Sequence, residues 1–139
     1  MDIYAFRGRG DSGVDPEVED LAREVIGACT EVHRELGPGL PERAYKNALS
    51  VELSLRGVPH EVEAPVSVYY KGVLVAEGKV DVLIGGKLVL ELKVVDALND
   101  VHRAQVLAYL QALKLQLGLL VNFNVAVVKD GIKRVVLTR

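Results

Sequence analysis

Apolar positions along the chain switch between a helical and a strand period, and each switch marks an element. From Asp15 to Leu36, Val18, Leu21, Ala22, Val25, Ile26, Cys29, Val32 and Leu36 recur at helical spacing. They predict a first helix capped by Asp15, with Pro16 in its first turn and a stop at Gly37-Pro38-Gly39. A second helix is predicted from near Leu40 to about Arg56, ahead of Gly57 and Pro59, with Ala44, Ala48, Val51 and Leu55 turned inward. His60 to Tyr70 reads as a strand, and Val73 to Val95 as two apolar strands joined at Gly85-Gly86. Asn99, or Asp96 before it, can cap a third helix running to about Leu117, with Val101, Ala104, Leu107, Ala108, Leu110 and Leu113 as its apolar positions. Leu119 to Val128 predicts a buried strand, and Ile132 to Leu137 a last, edge strand after a turn at Lys129-Asp130-Gly131.

Charges interrupt the apolar pattern in the central hairpin, and its register decides what they can do. Alternation puts Glu91 and Lys93 on one face of the second strand, with Leu88, Leu90, Leu92 and Val94 on the other. A two-residue Gly-Gly turn would pair Ile84 with Lys87 and leave Asp81 opposite Leu90. A three-residue loop over Gly85, Gly86 and Lys87 instead pairs Ile84 with Leu88 and sets Asp81 across from Glu91. The same register gathers Val80, Val82, Ile84, Leu88, Leu90, Leu92 and Val94 on the opposite face, so it is the expected one.

Two carboxylates that face each other repel unless one is protonated or a cation lies between them. Hard divalent ions with oxygen ligands, Mg²⁺ or Mn²⁺, suit such a pair. The alternative is a solvated strand face on which Lys79, Asp81, Glu91 and Lys93 pair across strands, each pair worth roughly 0.2–1 kcal/mol. The hairpin alone leaves both open.

Other segments add candidates. Glu42 and Tyr45 are three apart on the second helix and share a face. Glu42 either complements the helix dipole, with Tyr45 at the rim, or is a third carboxylate aimed at Asp81 and Glu91. His102, Gln105 and Tyr109 form a polar stripe on the third helix, unusual for a wet face because such faces are rich in Lys and Glu. Cys29 is the single cysteine, which leaves no internal disulfide and no cysteine-based zinc site, and its apolar surroundings mark it as a core residue.

With 139 residues, half of them hydrophobic and about a quarter charged, the chain is expected to form one soluble domain over residues 15–139. Residues 1–14, with Gly8, Gly10, Gly13, Arg7 and Arg9 and no periodicity, are expected to be a flexible N-terminal arm. No apolar run approaches the roughly 20 residues of a membrane span, and the start of the chain lacks the apolar stretch of a signal peptide, so a cytoplasmic location and no membrane partner are expected. The formal charge is −2, from 17 Lys plus Arg against 19 Asp plus Glu. Contact with nucleic acid must therefore come from a local patch or through a bound metal, not from an overall basic field.

Gly39-Leu40-Pro41-Glu42-Arg43-Ala44-Tyr45 resembles the signature of the GxxExxY proteins, a branch that looks like the PD-(D/E)XK nuclease superfamily. Asp81 followed by Glu91-Leu92-Lys93 is similar to that superfamily's metal-binding core, with Val80 where proline is usual. Gln105-Val106-Leu107-Ala108-Tyr109 is similar to the QxxxY element of RecB-type exonucleases. The resemblance covers roughly residues 18–137. It implies an α/β (α+β) fold with a restriction-endonuclease-like core, a mixed central sheet flanked by helices. It also implies that Glu42, Asp81 and Glu91 hold Mg²⁺ (or Mn²⁺), with the Leu92 carbonyl as a further ligand. Lys93 would orient or help activate the attacking water, and Gln105 and Tyr109, with His102 as a weaker candidate, would position the substrate or steady the site. The implied function is metal-dependent hydrolysis of phosphodiester bonds in nucleic acid, DNA first, with a homodimer as one way for a small chain to grip a duplex. The second expectation is a catalytically weak or inactive nuclease-fold protein that binds nucleic acid or a protein partner. A metal-free hydrolase with paired carboxylates fits less well, because Lys93 beside Glu91 should depress its pKa and sugar-stacking aromatics are few: five Tyr, two Phe and no Trp.

Overall fold

Asp15 caps the first helix as its position before Pro16 predicts: its carboxylate accepts the amide of Glu17 at 2.9 Å, with Glu17 and Glu19 at the positive end of the dipole. In the computed structural model, which describes residues 13–138, α1 spans Pro16–Leu36 and buries Val18, Ala22, Val25, Ala28, Cys29 and Val32. Most of the expected N-terminal arm, residues 1–12, lies outside the described residues. Val14, at the arm's end, is buried against the α1 core.

Helix α2 spans Glu42–Leu55 and buries a different face from the expected one. Tyr45, Leu49 and Leu53 are inside, whereas Val51 and Leu55 are 61% and 78% exposed. Tyr45 decides the rotation. Its ring stacks on Phe123 with centroids 4.6 Å apart, and its hydroxyl donates to Gly37 O and accepts from Leu40 N. A large side chain fully buried is worth about 1.5–3 kcal/mol, and here its polar end carries no desolvation cost because it is hydrogen-bonded.

Five strands follow in the spatial order β1-β2-β3-β4-β5: β1 His60–Tyr70, β2 Val73–Ile84, β3 Leu88–Lys93, β4 Leu117–Asn122 and β5 Ile132–Val136. Only β3 and β4 run parallel, joined by the crossover helix α3 Asp100–Leu113, so the sheet is mixed as expected. Helices α1 and α2 pack on one face with Leu88, Leu90 and Leu92. Helix α3 packs on the other with Val89 and Leu120. A Cβ on Gly118 would lie 2.5 Å from Val106 Cγ1, so α3 sits close on β4 along Val106 and Leu110. Val101, Ala104 and Ala108, expected inward, face solvent. The helix also ends earlier than expected, at a left-handed Lys114.

The β2–β3 turn is the three-residue loop. Ile84 pairs with Leu88 and Val82 with Leu90, Lys87 N donates to Ile84 O at 2.9 Å, and Gly85 and Gly86 take φ of 57° and 69°. One expectation about faces fails. Val80 packs with Ala64, Val66 and Val106 on the α3 side, while Val82 and Ile84 pack on the α1 side. The ribbon turns over where Val62 still pairs with Val82 and Ala64 with Val80 but no bridge joins Glu63 to Asp81, and Glu63 takes a left-handed φ of 54°. The predicted strand 119–128 is also shorter, ending at Asn122. There the Asn122 amide takes both the N–H and the carbonyl of Val95, and the chain leaves the sheet for a 3₁₀ turn at Val128–Gly131.

Candidate active site

The overturned ribbon puts Asp81 at the boundary between the two helical layers, and this lets residues from both sides of the sheet meet. Past the last β2–β3 bridge, side chains replace the ladder. Asp81 N donates to Glu91 Oε1 at 2.9 Å, and Leu92 N donates to Asp81 Oδ2 at 2.8 Å. Glu91 is 4% exposed. Burial first, and the neighbouring Asp81 charge second, push its pKa up to about 8, against the opposing pull of the Asp81 amide and Lys93. Lys93 pulls Glu91 down as expected, but the net shift is upward, because desolvation and a like charge outweigh it.

From the α3 layer comes a hydrogen-bonded chain. Lys93 Nζ donates to Gln105 Oε1 at 3.0 Å, and Gln105 Nε2 donates to Tyr109 Oη at 3.3 Å. The Tyr109 pKa is raised by burial, then by the charge of Glu91. His102 is used differently: its amide donates to Asn99 Oδ1 and its Nδ1 accepts from Asn99 N, a reciprocal cap at the start of α3.

From the α2 layer come Glu42, on the first turn, and Lys46. The Gly37-to-Tyr45 segment sets this start, since the Tyr45 hydroxyl ties both Gly37 O and Leu40 N. The Glu42 pKa is raised, by burial and then by Asp81, with Lys93 and Lys46 opposing. Lys46 Nζ lies 3.2 Å from Asp81 Oδ1 and 3.7 Å from Glu63 Oε1. A cavity of about 350 Å³ opens beside it, lined by Glu42, Arg43, Lys46, Asn47, Val62 and Glu63. The sequence pattern missed Lys46 and Glu63. Lys46 was findable, because it stands four residues after Glu42 and so shares its face. Glu63 gave no signal, because a left-handed glutamate inside a strand has none.

Asp81 and Glu91 are thus joined through the strand backbone, with Leu92 fastened to Asp81 through its amide, Lys46 paired with Asp81, and Lys93, Gln105 and Tyr109 linked in a chain of hydrogen bonds, while Glu42 at the start of α2 feels the charges of Asp81, Lys93 and Lys46. The donors suit a hard divalent ion: they are carboxylate oxygens, and Glu42 and Glu91 hold protons more tightly because burial first, and the Asp81 charge second, disfavour their ionised forms. Among the described residues no group of three or more His, Cys, Asp or Glu side chains is placed to hold a metal ion. Lys46 is the cation paired with Asp81.

No curated protein matches the chain. A solved structure described as "Crystal structure of SSO0001" is similar with a TM-score of 0.42 at 17% sequence identity, over 88% of this chain and 76% of that one. A profile of the PD-(D/E)XK nuclease superfamily matches residues 19–135, a span that holds every residue of the group just described. By that match the chain belongs to the PD-(D/E)XK nuclease superfamily.

Proposed function

We propose that the protein is a Mg²⁺-dependent nuclease that hydrolyses phosphodiester bonds in DNA, and that it stands in the GxxExxY branch of its superfamily by virtue of Gly39, Glu42 and Tyr45. The observation that carries this is the joining of Asp81 of β2 to Glu91 of β3 through the strand backbone, beside a lysine held by a glutamine of α3 and within the electrostatic reach of Glu42 on α2. Glu42, Asp81, Glu91 and the Leu92 carbonyl would hold the ion. Bound there, it would lower the pKa of water and stabilise charge developing on phosphate oxygens. Lys93 is aimed by Gln105 and offers its remaining N–H groups to the attacking water or a phosphate oxygen. Tyr109 braces Gln105. Burial of Glu91 excludes bulk water on that side, which strengthens each charge interaction at the reacting phosphate.

A second reading, a nuclease-fold protein that binds nucleic acid or a partner without useful catalysis, is favoured by one observation: Lys46 already neutralises Asp81. Assays of wild type and Asp81→Asn on single- and double-stranded DNA, with Mg²⁺ and Mn²⁺, decide between them. Cleavage that needs the ion and is lost in Asp81→Asn is expected. Cleavage that survives the substitution removes the nuclease assignment, and metal-induced thermal stabilisation without cleavage favours the binding protein.

A further inference from the structure

Lys46 has two carboxylate partners of different character. Asp81, 3.2 Å away, is 14% exposed at its side chain, while Glu63, 3.7 Å away, is 57% exposed. Glu63 reaches this place where it faces Asp81 without a ladder bridge, through a left-handed φ of 54° that non-glycine residues rarely adopt. Both Asp81 oxygens are engaged, Oδ1 by Lys46 and Oδ2 by the Leu92 amide. A divalent ion approaching Asp81 therefore meets an ammonium already seated on it, and two cations on one carboxylate in a poorly solvated pocket repel strongly.

We propose that Lys46 is a resident competitor of the metal: it neutralises Asp81 until a divalent ion binds, then withdraws to Glu63, so that this exchange sets the metal affinity. The inference rests on the proposed metal site and concerns what governs its loading. The lysine stem is flexible enough for the move, and the cavity bounded by Arg43, Asn47, Val62 and Glu63 gives it room. Glu63 is the second berth, and its more solvated position makes it the weaker one, so the ammonium rests on Asp81 first. Lys46 thereby balances carboxylates that would otherwise repel.

The test is calorimetric titration of Mn²⁺ into the full-length wild type, Lys46→Met and Glu63→Gln, with thermal melts of each before and after metal. Lys46→Met keeps the length of the stem and loses the charge. It is expected to bind Mn²⁺ about tenfold more tightly, within the usual range of coupling between ligands. It is also expected to melt lower without metal and to recover with it. Glu63→Gln is expected to bind several-fold more weakly, and the double variant to behave like Lys46→Met, since a berth is useless without its occupant. Affinity unchanged or weakened in Lys46→Met overturns the proposal. So does Glu63→Gln at wild-type affinity, a variant whose exposed side chain keeps the test open should Lys46→Met not fold. If Asp81→Asn abolishes metal binding and cleavage while Lys46→Met leaves affinity unchanged, only this inference falls. If neither wild type nor Lys46→Met binds the ion, the metal-site reading falls with it.

Discussion

Asp81 and Glu91 are fastened to each other through the strand backbone: the Asp81 amide lies on Glu91 Oε1 at 2.9 Å, while Asp81 Oδ2 takes the next amide after Glu91 at 2.8 Å. The pair that would bind the ion also finishes the hairpin. Truncation and neutralisation of Asp81 should therefore separate. Asp81→Ala leaves the Leu92 amide without its acceptor, a loss of about 1–3 kcal/mol. Asp81→Asn keeps an oxygen there and relieves repulsion with Glu91 while losing the Lys46 ion pair, so it should be destabilised less than Asp81→Ala in urea unfolding while losing cleavage. Equal destabilisation by the two substitutions would refute the backbone role of Oδ2.

The raised Glu91 carboxyl has a consequence for stability. Its folded pKa of about 8 lies above the ordinary 4.5, so between those values the folded chain keeps a proton that the unfolded chain has lost. The unfolded state then binds fewer protons, and stability without metal falls as pH rises through that window. Glu91→Gln keeps an acceptor for the Asp81 amide and removes the ionisation. Urea midpoints measured from about pH 5 to about pH 8 should decline for wild type and be flatter for Glu91→Gln, since linkage follows the proton difference. Parallel curves would show that Glu91 is not the titrating group.

Much of this architecture was written in patterns that depend on neighbours in sequence. The α1 cap, the β2–β3 loop and the pairing of Ile84 with Leu88 follow from local chemistry, and the last of these already brought Asp81 to Glu91. What could not be read off is non-local. Tyr45 rotates α2 because Phe123, 78 positions away, waits beneath it. Asn122 ends β4 because Val95 offers it a backbone N–H and carbonyl. Val80 changes face because Glu63 adopts a conformation that its residue type disfavours. Lys46 shares the Glu42 face and so was within reach of the sequence, but that spacing does not single it out, since a lysine one turn after a glutamate usually pairs with it on a wet helix face.

Gln105 accepts from the Lys93 ammonium at 3.0 Å and donates to Tyr109, and in the proposed mechanism it acts by positioning Lys93. Gln105→Ala should lower kcat by about 10- to 100-fold, the usual effect of removing a partner that orients an active group. KM for DNA should stay nearly constant, because Lys93 keeps its charge. Tyr109→Phe, one bond further out, should cost less. A rise in KM with unchanged kcat would instead make Gln105 a substrate-binding residue.

Tyr45 connects stability to the site through the start of α2. Tyr45→Phe keeps the stack on Phe123 but strands the contacts to Gly37 O and Leu40 N, a loss of about 0.5–1.5 kcal/mol for a hydrogen bond of this kind. Tyr45→Ala also opens a cavity under Phe123, and large aromatic deletions of this type cost about 3–5 kcal/mol. Because Glu42 stands on the turn that these contacts anchor, Tyr45→Phe should weaken Mn²⁺ binding as well as unfolding midpoints, whereas a core deletion remote from α2, such as Val135→Ala on β5, should lower stability and leave metal affinity alone. If both variants lower metal affinity in proportion to their stability, the helix start is only a packing element and the hydroxyl has no special hold on Glu42.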